Sequence, residues 1–152
     1  LVGDGPMRSE LEERARKCPH FESIRFLGKQ DAVEEILAIS DLFLMPSEKE
    51  SFGLAALEAM ACEVPVISSN AGGIPEVNID GVTGFMSDIG DVDSMAKNAL
   101  KLSQHPELLQ QFRENALHQA KKFDINNILP NYVEYYEEMI EKVKSECPVN
   151  LV

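Results

Sequence analysis

The sequence predicts an α/β fold, a doubly wound parallel sheet followed by C-terminal helices, and three observations carry that reading. Short apolar runs alternate with segments of helical periodicity over residues 1–90. The clearest run, Leu42-Phe43-Leu44-Met45, is continuous rather than alternating, as expected of a strand buried on both faces. From residue 91 onward the apolar spacing is helical alone. Strands that alternate with helices imply a Rossmann-like sheet, and such sheets bind ligands beyond the carboxyl ends of their strands.

Taken in order, Leu1-Val2 reads as the end of a strand. Pro6 stands at the first position of a helix carrying Leu11 and Ala15, and Ser23-Ile24-Arg25-Phe26-Leu27 as the next strand completes a βαβ unit. Asp31 caps a helix bearing Val33, Ile36 and Leu37, which leads into the strand Leu42–Met45. Leu54 to Cys62 is a helix and Pro65–Ile67 a strand. Between them the chain must reverse quickly at Glu63, which predicts a positive φ in a non-glycine residue. Thr83-Gly84-Phe85-Met86 is the last strand, and helices follow at 91–103, 106–121 and 126–145. In the final helix Tyr132, Tyr135, Tyr136, Met139, Ile140 and Val143 fall on one side. That stripe either packs on the domain's own sheet or faces outward, where it would favour homo-oligomers.

A chain of 152 residues with 44% hydrophobic content suits one globular domain, and an opening at Leu1 in mid-pattern reads as truncation at the N-terminus. A formal net charge of −12 opposes a nucleic-acid or anionic-membrane partner, because a polyphosphate surface requires clustered Lys and Arg. No apolar run approaches the roughly 20 residues of a membrane span. Cys18, Cys62 and Cys147 are odd in number and lack metal-ligand spacing, which favours reduced thiols and a cytoplasmic setting. His20, His105 and His118 have neither metal nor triad spacing, so no metal is expected.

The chemistry concentrates in Glu48-Lys49-Glu50-Ser51-Phe52-Gly53-Leu54, where charge crowds the mouth of an apolar helix. Amides at a helix start are unpaired and lie at the positive end of its dipole, so Phe52, Gly53 and Leu54 can donate to a phosphate or to sugar hydroxyls. Gly53 lets a ligand approach the backbone. Glu50 before the turn and Glu58 about two turns on can accept from hydroxyls at two ends of one ligand. The bland alternative makes Glu50 and Lys49 solvated loop charges and Glu58 a helix-surface residue. Gly3-Asp4-Gly5-Pro6 begins like a dinucleotide fingerprint, but Arg8 stands where the third glycine belongs, so hydride transfer is disfavoured.

Glu50-x7-Glu58 around Ser51-Phe52-Gly53-Leu54 resembles the E-x7-E motif of retaining GT-B glycosyltransferases of family 4. Further pieces occur in the family's order: Val2–Pro6 as a post-strand turn, Val64–Ile67 as a strand, Gly72-Gly73-Ile74-Pro75-Glu76 as the G-G-x-x-E loop, and Gly81–Phe85 as a G-x-x-G hairpin. Glu63 departs from the family's usual glycine. The resemblance implies that residues 1–152 are the nucleotide-sugar-binding C-terminal domain, without the acceptor-binding half and without the Arg and Lys that neutralise the leaving diphosphate. It implies that Glu50 contacts the donor sugar as the catalytic residue of the site. Ser51, Phe52, Gly53 and Leu54 would then line the sugar and diphosphate, Glu58 would hold the ribose, and Leu27 and Gly28 would meet the base through their backbone. No cofactor or metal is implied beyond a UDP-sugar substrate. Pro46–Leu54 and Ser68–Glu76 look most like members that pass N-acetylglucosamine from UDP-N-acetylglucosamine to L-malate, in bacillithiol formation. A sucrose- or glycogen-synthase-like enzyme, a GT-B epimerase and a non-catalytic nucleotide-binding module are the alternatives.

Overall fold

The structure, a computed structural model, describes residues 1–146. Cys147 lies outside the described residues, while Cys18 and Cys62 are free thiols. The chain divides into two compact units, Leu1–Ile36 and Leu37–Val152.

In the first unit, helix α1 (Arg8–Arg16) begins two residues later than Pro6 suggested, because a turn closed by the Arg8 amide on the Gly5 carbonyl (3.1 Å) comes first. Arg8 pairs with Glu12 and Lys17 with Glu13, both at helical i,i+4 spacing. The strand expected over Ser23–Leu27 does not form. Phe21–Ser23 winds into a 3₁₀ turn instead, and the extended segment after it makes a single parallel bridge, Val2 opposite Gly28. Two bonds flank that bridge, Leu27 N–H to the Leu1 carbonyl at 2.9 Å and Gly3 N–H to the Gly28 carbonyl at 2.7 Å. A ladder with so few residues opposite it cannot extend into a strand. Helix α2 (Val33–Leu37) ends the unit and supplies the buried Leu37 that opens the next.

The second unit is built on a parallel sheet of β1 (Phe43–Met45), β2 (Val66–Ser69) and β3 (Gly84–Ser87), in that spatial order. Phe43 pairs with Val66, and Val66 with Gly84. All four residues of central β2 are buried, as a parallel strand requires. The expectation for β1 was too strong, since it borders the sheet and Leu44 is 57% exposed. Helix α3 (Leu54–Ala61) returns from β1 towards β2 and ends on Glu63, whose φ is 60° as expected. There the Glu63 amide reaches the Met60 carbonyl and the Val64 amide the Ala59 carbonyl, the paired bonds of a Schellman ending.

Helix α4 (Ile74–Val77) is one turn that the sequence reading treated as loop, started by Pro75 in its first turn. Gly81–Phe85 is not a hairpin. Residues 79–83 make a tight turn, with the Val82 and Thr83 amides on the Ile79 carbonyl, and β3 leaves it parallel to β2. A buried network fixes this turn. The Asn78 side-chain amide donates to Ser68 Oγ (2.9 Å) and to the Val66 carbonyl (3.2 Å), and the Thr83 hydroxyl donates to Asn78 Oδ1 (2.9 Å). Helices α5 (Val92–Ser103) and α6 (Pro106–Lys122) bury Ile67, Met95, Leu102 and Phe112 together, with Phe85 against them. Helix α7 (Ile125–Glu146) follows, and its tyrosine stripe stays exposed, Tyr132 at 59% and Tyr136 at 63%. No helix among the described residues is long and apolar enough to cross a membrane.

Candidate functional site

The loops that leave β1 and β2 at their carboxyl ends come together, at the sheet edge where parallel α/β proteins bind ligands. The Ser69 hydroxyl donates to the Ser47 carbonyl across them. The two glycines of the second loop then lie directly on the first. A β-carbon built at Gly72 would stand 1.7 Å from the Glu50 carbonyl oxygen, and one at Gly73 would stand 2.5 Å from the Ser51 carbonyl and 2.9 Å from Phe52 Cα. Only glycine fits either place. Gly72 also has a φ of 53°, a conformation that other residues rarely adopt.

Behind this contact the first turn of α3 is set up by its own sequence. Gly53 is the N-cap residue, with φ 97° and ψ 39°, and it offers no side chain to cap the helix. Glu50, three residues upstream, instead gathers the amides of the turn that leads into the helix: its Oε1 accepts from Ser51 (3.0 Å), Phe52 (3.4 Å) and Gly53 (3.3 Å). Three N–H groups therefore converge on one anionic oxygen, a small anion cradle with the carboxylate already in it. The reading of Glu50 as a solvated loop charge does not describe this geometry. The Phe52 ring points away and meets Phe123, at the end of α6, edge-on with centroids 5.8 Å apart. Buried Ile74 closes the space behind Gly53.

Glu58 is exposed, four residues along α3 from Leu54 and so about 6 Å further along the helix axis. It lines a groove of about 330 Å³ with Leu54 and Leu57 of its own helix and Lys121, Phe123 and Asp124 beyond it. Most of that lining is apolar. The groove thus offers the carboxylates of Glu58 and Asp124 beside a surface suited to a flat, partly apolar ligand. Leu27 and Gly28 belong to the first unit. The Leu27 carbonyl accepts from Gln30 Nε2 (2.6 Å), the Gly28 carbonyl from the Gly3 amide, and Leu27 N–H is held by Leu1. Among the described residues no group of three or more His, Cys, Asp or Glu is placed to hold a metal ion.

Sequence reasoning missed Phe123, because one aromatic after a helix stop has no spacing to mark it. It also missed the bonds of Glu50 to the amides of Ser51, Phe52 and Gly53, since residue spacing does not record which way a side chain turns.

The profile of the family described as "Glycosyl transferases group 1" matches residues 1–119. The chain belongs to that family. This glycosyltransferase domain is 41% identical over 146 residues to the N-acetyl-alpha-D-glucosaminyl L-malate synthase of Bacillus anthracis, which covers 95% of the chain and 38% of the relative. It is 30% identical to an uncharacterized glycosyltransferase of Methanocaldococcus jannaschii, over 91% of the chain and 40% of the relative. Among solved structures, Anabaena HepE in complex with UDP-glucose matches with a TM-score of 0.81 and 28% identity, over 91% of the chain and 40% of that structure. Sucrose-phosphate synthase from Thermosynechococcus elongatus shares the fold, with a TM-score of 0.82 at 24% identity, over 93% of the chain and 38% of that structure. The domain therefore has the α/β architecture of the GT-B glycosyltransferases and spans about two fifths of the length of the relatives it matches.

Proposed function

We propose that this domain holds the donor in a metal-independent, retaining glycosyltransferase of the cytoplasm that passes N-acetylglucosamine from UDP-N-acetylglucosamine to L-malate, a step toward bacillithiol. The observation that carries the reading is the anion cradle of Ser51, Phe52 and Gly53 amides at the mouth of α3, with Glu58 on the same helix. Amides that converge on one oxygen suit a phosphate, and a carboxylate further along suits the two hydroxyls of a ribose. The choice of sugar and acceptor leans on the 41% identity to the malate synthase.

In this reading the Phe52, Gly53 and Leu54 amides face the diphosphate and the sugar, and Glu50 accepts from the sugar hydroxyls. Glu58 holds the ribose. The acceptor attacks from the face that UDP leaves. The cations that stabilise the departing diphosphate and the surface that holds the acceptor belong to the longer protein. Enforced proximity to an acceptor supplies about 7–11 kcal/mol of a barrier. The domain alone is accordingly expected to bind UDP and not to transfer sugar.

The test titrates the 152-residue chain with UDP by calorimetry. It then assays the chain beside a longer protein that carries the acceptor half, using UDP-N-acetylglucosamine or UDP-glucose with L-malate. Transfer from UDP-N-acetylglucosamine to malate by the longer protein alone is the expected result. Transfer from UDP-glucose, or to acceptors other than malate, would replace the substrates, and absence of UDP binding by either protein would overturn the site.

A further inference from the structure

The Glu50 carboxylate occupies the position that an incoming anion needs. Its Oε1 holds the amides of Ser51, Phe52 and Gly53 at 3.0–3.4 Å, and two of those amides are the ones assigned above to the donor. Of the amides assigned to the donor, Phe52 and Gly53 are thereby already taken by the carboxylate, while that of Leu54 is not bonded to it. The backbone cannot shift to make room, since Gly72 and Gly73 lie against the Glu50 and Ser51 carbonyls without space for a β-carbon, and Ile74 backs Gly53. The soft coordinate is the Glu50 side chain itself, which leaves the cradle by rotation about its own bonds.

We infer that Glu50 is a resident competitor for the diphosphate cradle and so sets the preference of the site for UDP-sugar over bare UDP. The inference rests on the donor reading proposed above. Either ligand must expel the carboxylate from its amides. A UDP-sugar gives the expelled carboxylate new donors, the hydroxyls of its sugar, whereas bare UDP leaves it unpaired beside a diphosphate, an arrangement of like charges that costs affinity. The same exchange favours product release: once the sugar has gone to the acceptor, the carboxylate loses its hydroxyl partners and returns to the amides as UDP departs. No bond is made or broken by Glu50 in this exchange.

The experiment measures the affinities of the 152-residue chain for UDP and for UDP-N-acetylglucosamine in the wild type, in Glu50→Gln and in Glu48→Gln, with folding checked by circular dichroism. Glu48 is an exposed acid on the same loop and controls for simple removal of negative charge. Glu50→Gln keeps the shape of the side chain but weakens its hold on the amides, since a neutral acceptor bonds about half as strongly as a charged one. UDP should then bind about fivefold more tightly or better, while UDP-N-acetylglucosamine binds no more tightly than before. Glu48→Gln should change both affinities alike and by less than about twofold.

A second readout needs no substitution: the amide resonances of Ser51, Phe52 and Gly53 should shift together when UDP saturates the chain, as their acceptor changes from carboxylate to phosphate. If wild type binds UDP and Glu50→Gln binds it no better, or if Glu48→Gln gains as much, the competitor role is overturned and the donor site stands. If UDP binds to Glu50→Gln alone, the competitor role is supported in its strongest form. If neither protein binds UDP, the donor reading and the inference fall together.

Discussion

Gly72 shows how tightly single residues are held at this site. Its missing β-carbon would lie 1.7 Å from the Glu50 carbonyl oxygen, so Gly72→Ala must push apart the loops after β1 and β2. The expected result is a loss of about 2 kcal/mol or more of stability, seen as a lower thermal midpoint, with UDP affinity falling alongside. Glu63 is the opposite case. It holds φ 60° with a side chain attached, so Glu63→Gly should stabilise by roughly 1 kcal/mol and raise the midpoint by about 2–4 °C in differential scanning calorimetry. For Glu58, substitution by Gln should cost about 1.5–3 kcal/mol of UDP binding and leave the melting profile unchanged, and calorimetric titration checks both. The φ of Glu63 was legible in the sequence, because the chain must reverse there between a helix and a strand. The partners of Glu50 were not, since a sequence does not show which way a side chain turns once its backbone is fixed.

Elements were legible where local pattern and tertiary context agree. Helices α5 and α6 begin and end within one residue of their expected bounds, because Asp91 and Pro106 mark their starts and an apolar face runs through each. The segment Ser23–Leu27 was misread because strand character depends on a partner that local sequence does not report. α4 was misread because Gly72-Gly73 signals a loop more strongly than Pro75 signals one turn of helix. The cap of α5 carries a pH dependence. Hydrogen bonds from Ser94, the side chain first and then the backbone amide, hold the Asp91 carboxyl below its ordinary range. A lowered carboxyl stabilises the fold above the unfolded pKa of about 4, and that contribution disappears as the pH falls through the folded value. Asp91→Ala should therefore speed amide exchange in the first turn of α5 at neutral pH, with the difference from wild type shrinking once the pH falls below about 4.

For the whole molecule, the acidic charge of −12 and the exposed stripe on α7 pull in opposite directions. Charge keeps copies apart, while Tyr132, Tyr136, Ile140 and Val143, each more than half exposed, offer a surface that excludes water when covered. The stripe is expected to bring copies together at high concentration and high salt. Sedimentation velocity should show mass rising with concentration for the wild type and not for Tyr136→Glu. The sheet carries a different consequence, one for biosynthesis. No strand neighbours its partner in the chain, since the parallel pairings span crossovers over residues 46–65 and 70–83, each of which contains a helix. A ribosome must therefore deliver β3 before the buried strand Val66–Ser69 has both its neighbours, and Phe112 before Ile67 is sealed. During that interval one edge of a strand carrying Val66 and Ile67 stands open, which makes it the stretch where a chaperone is most useful and where a slowed or truncated translation product would begin to aggregate.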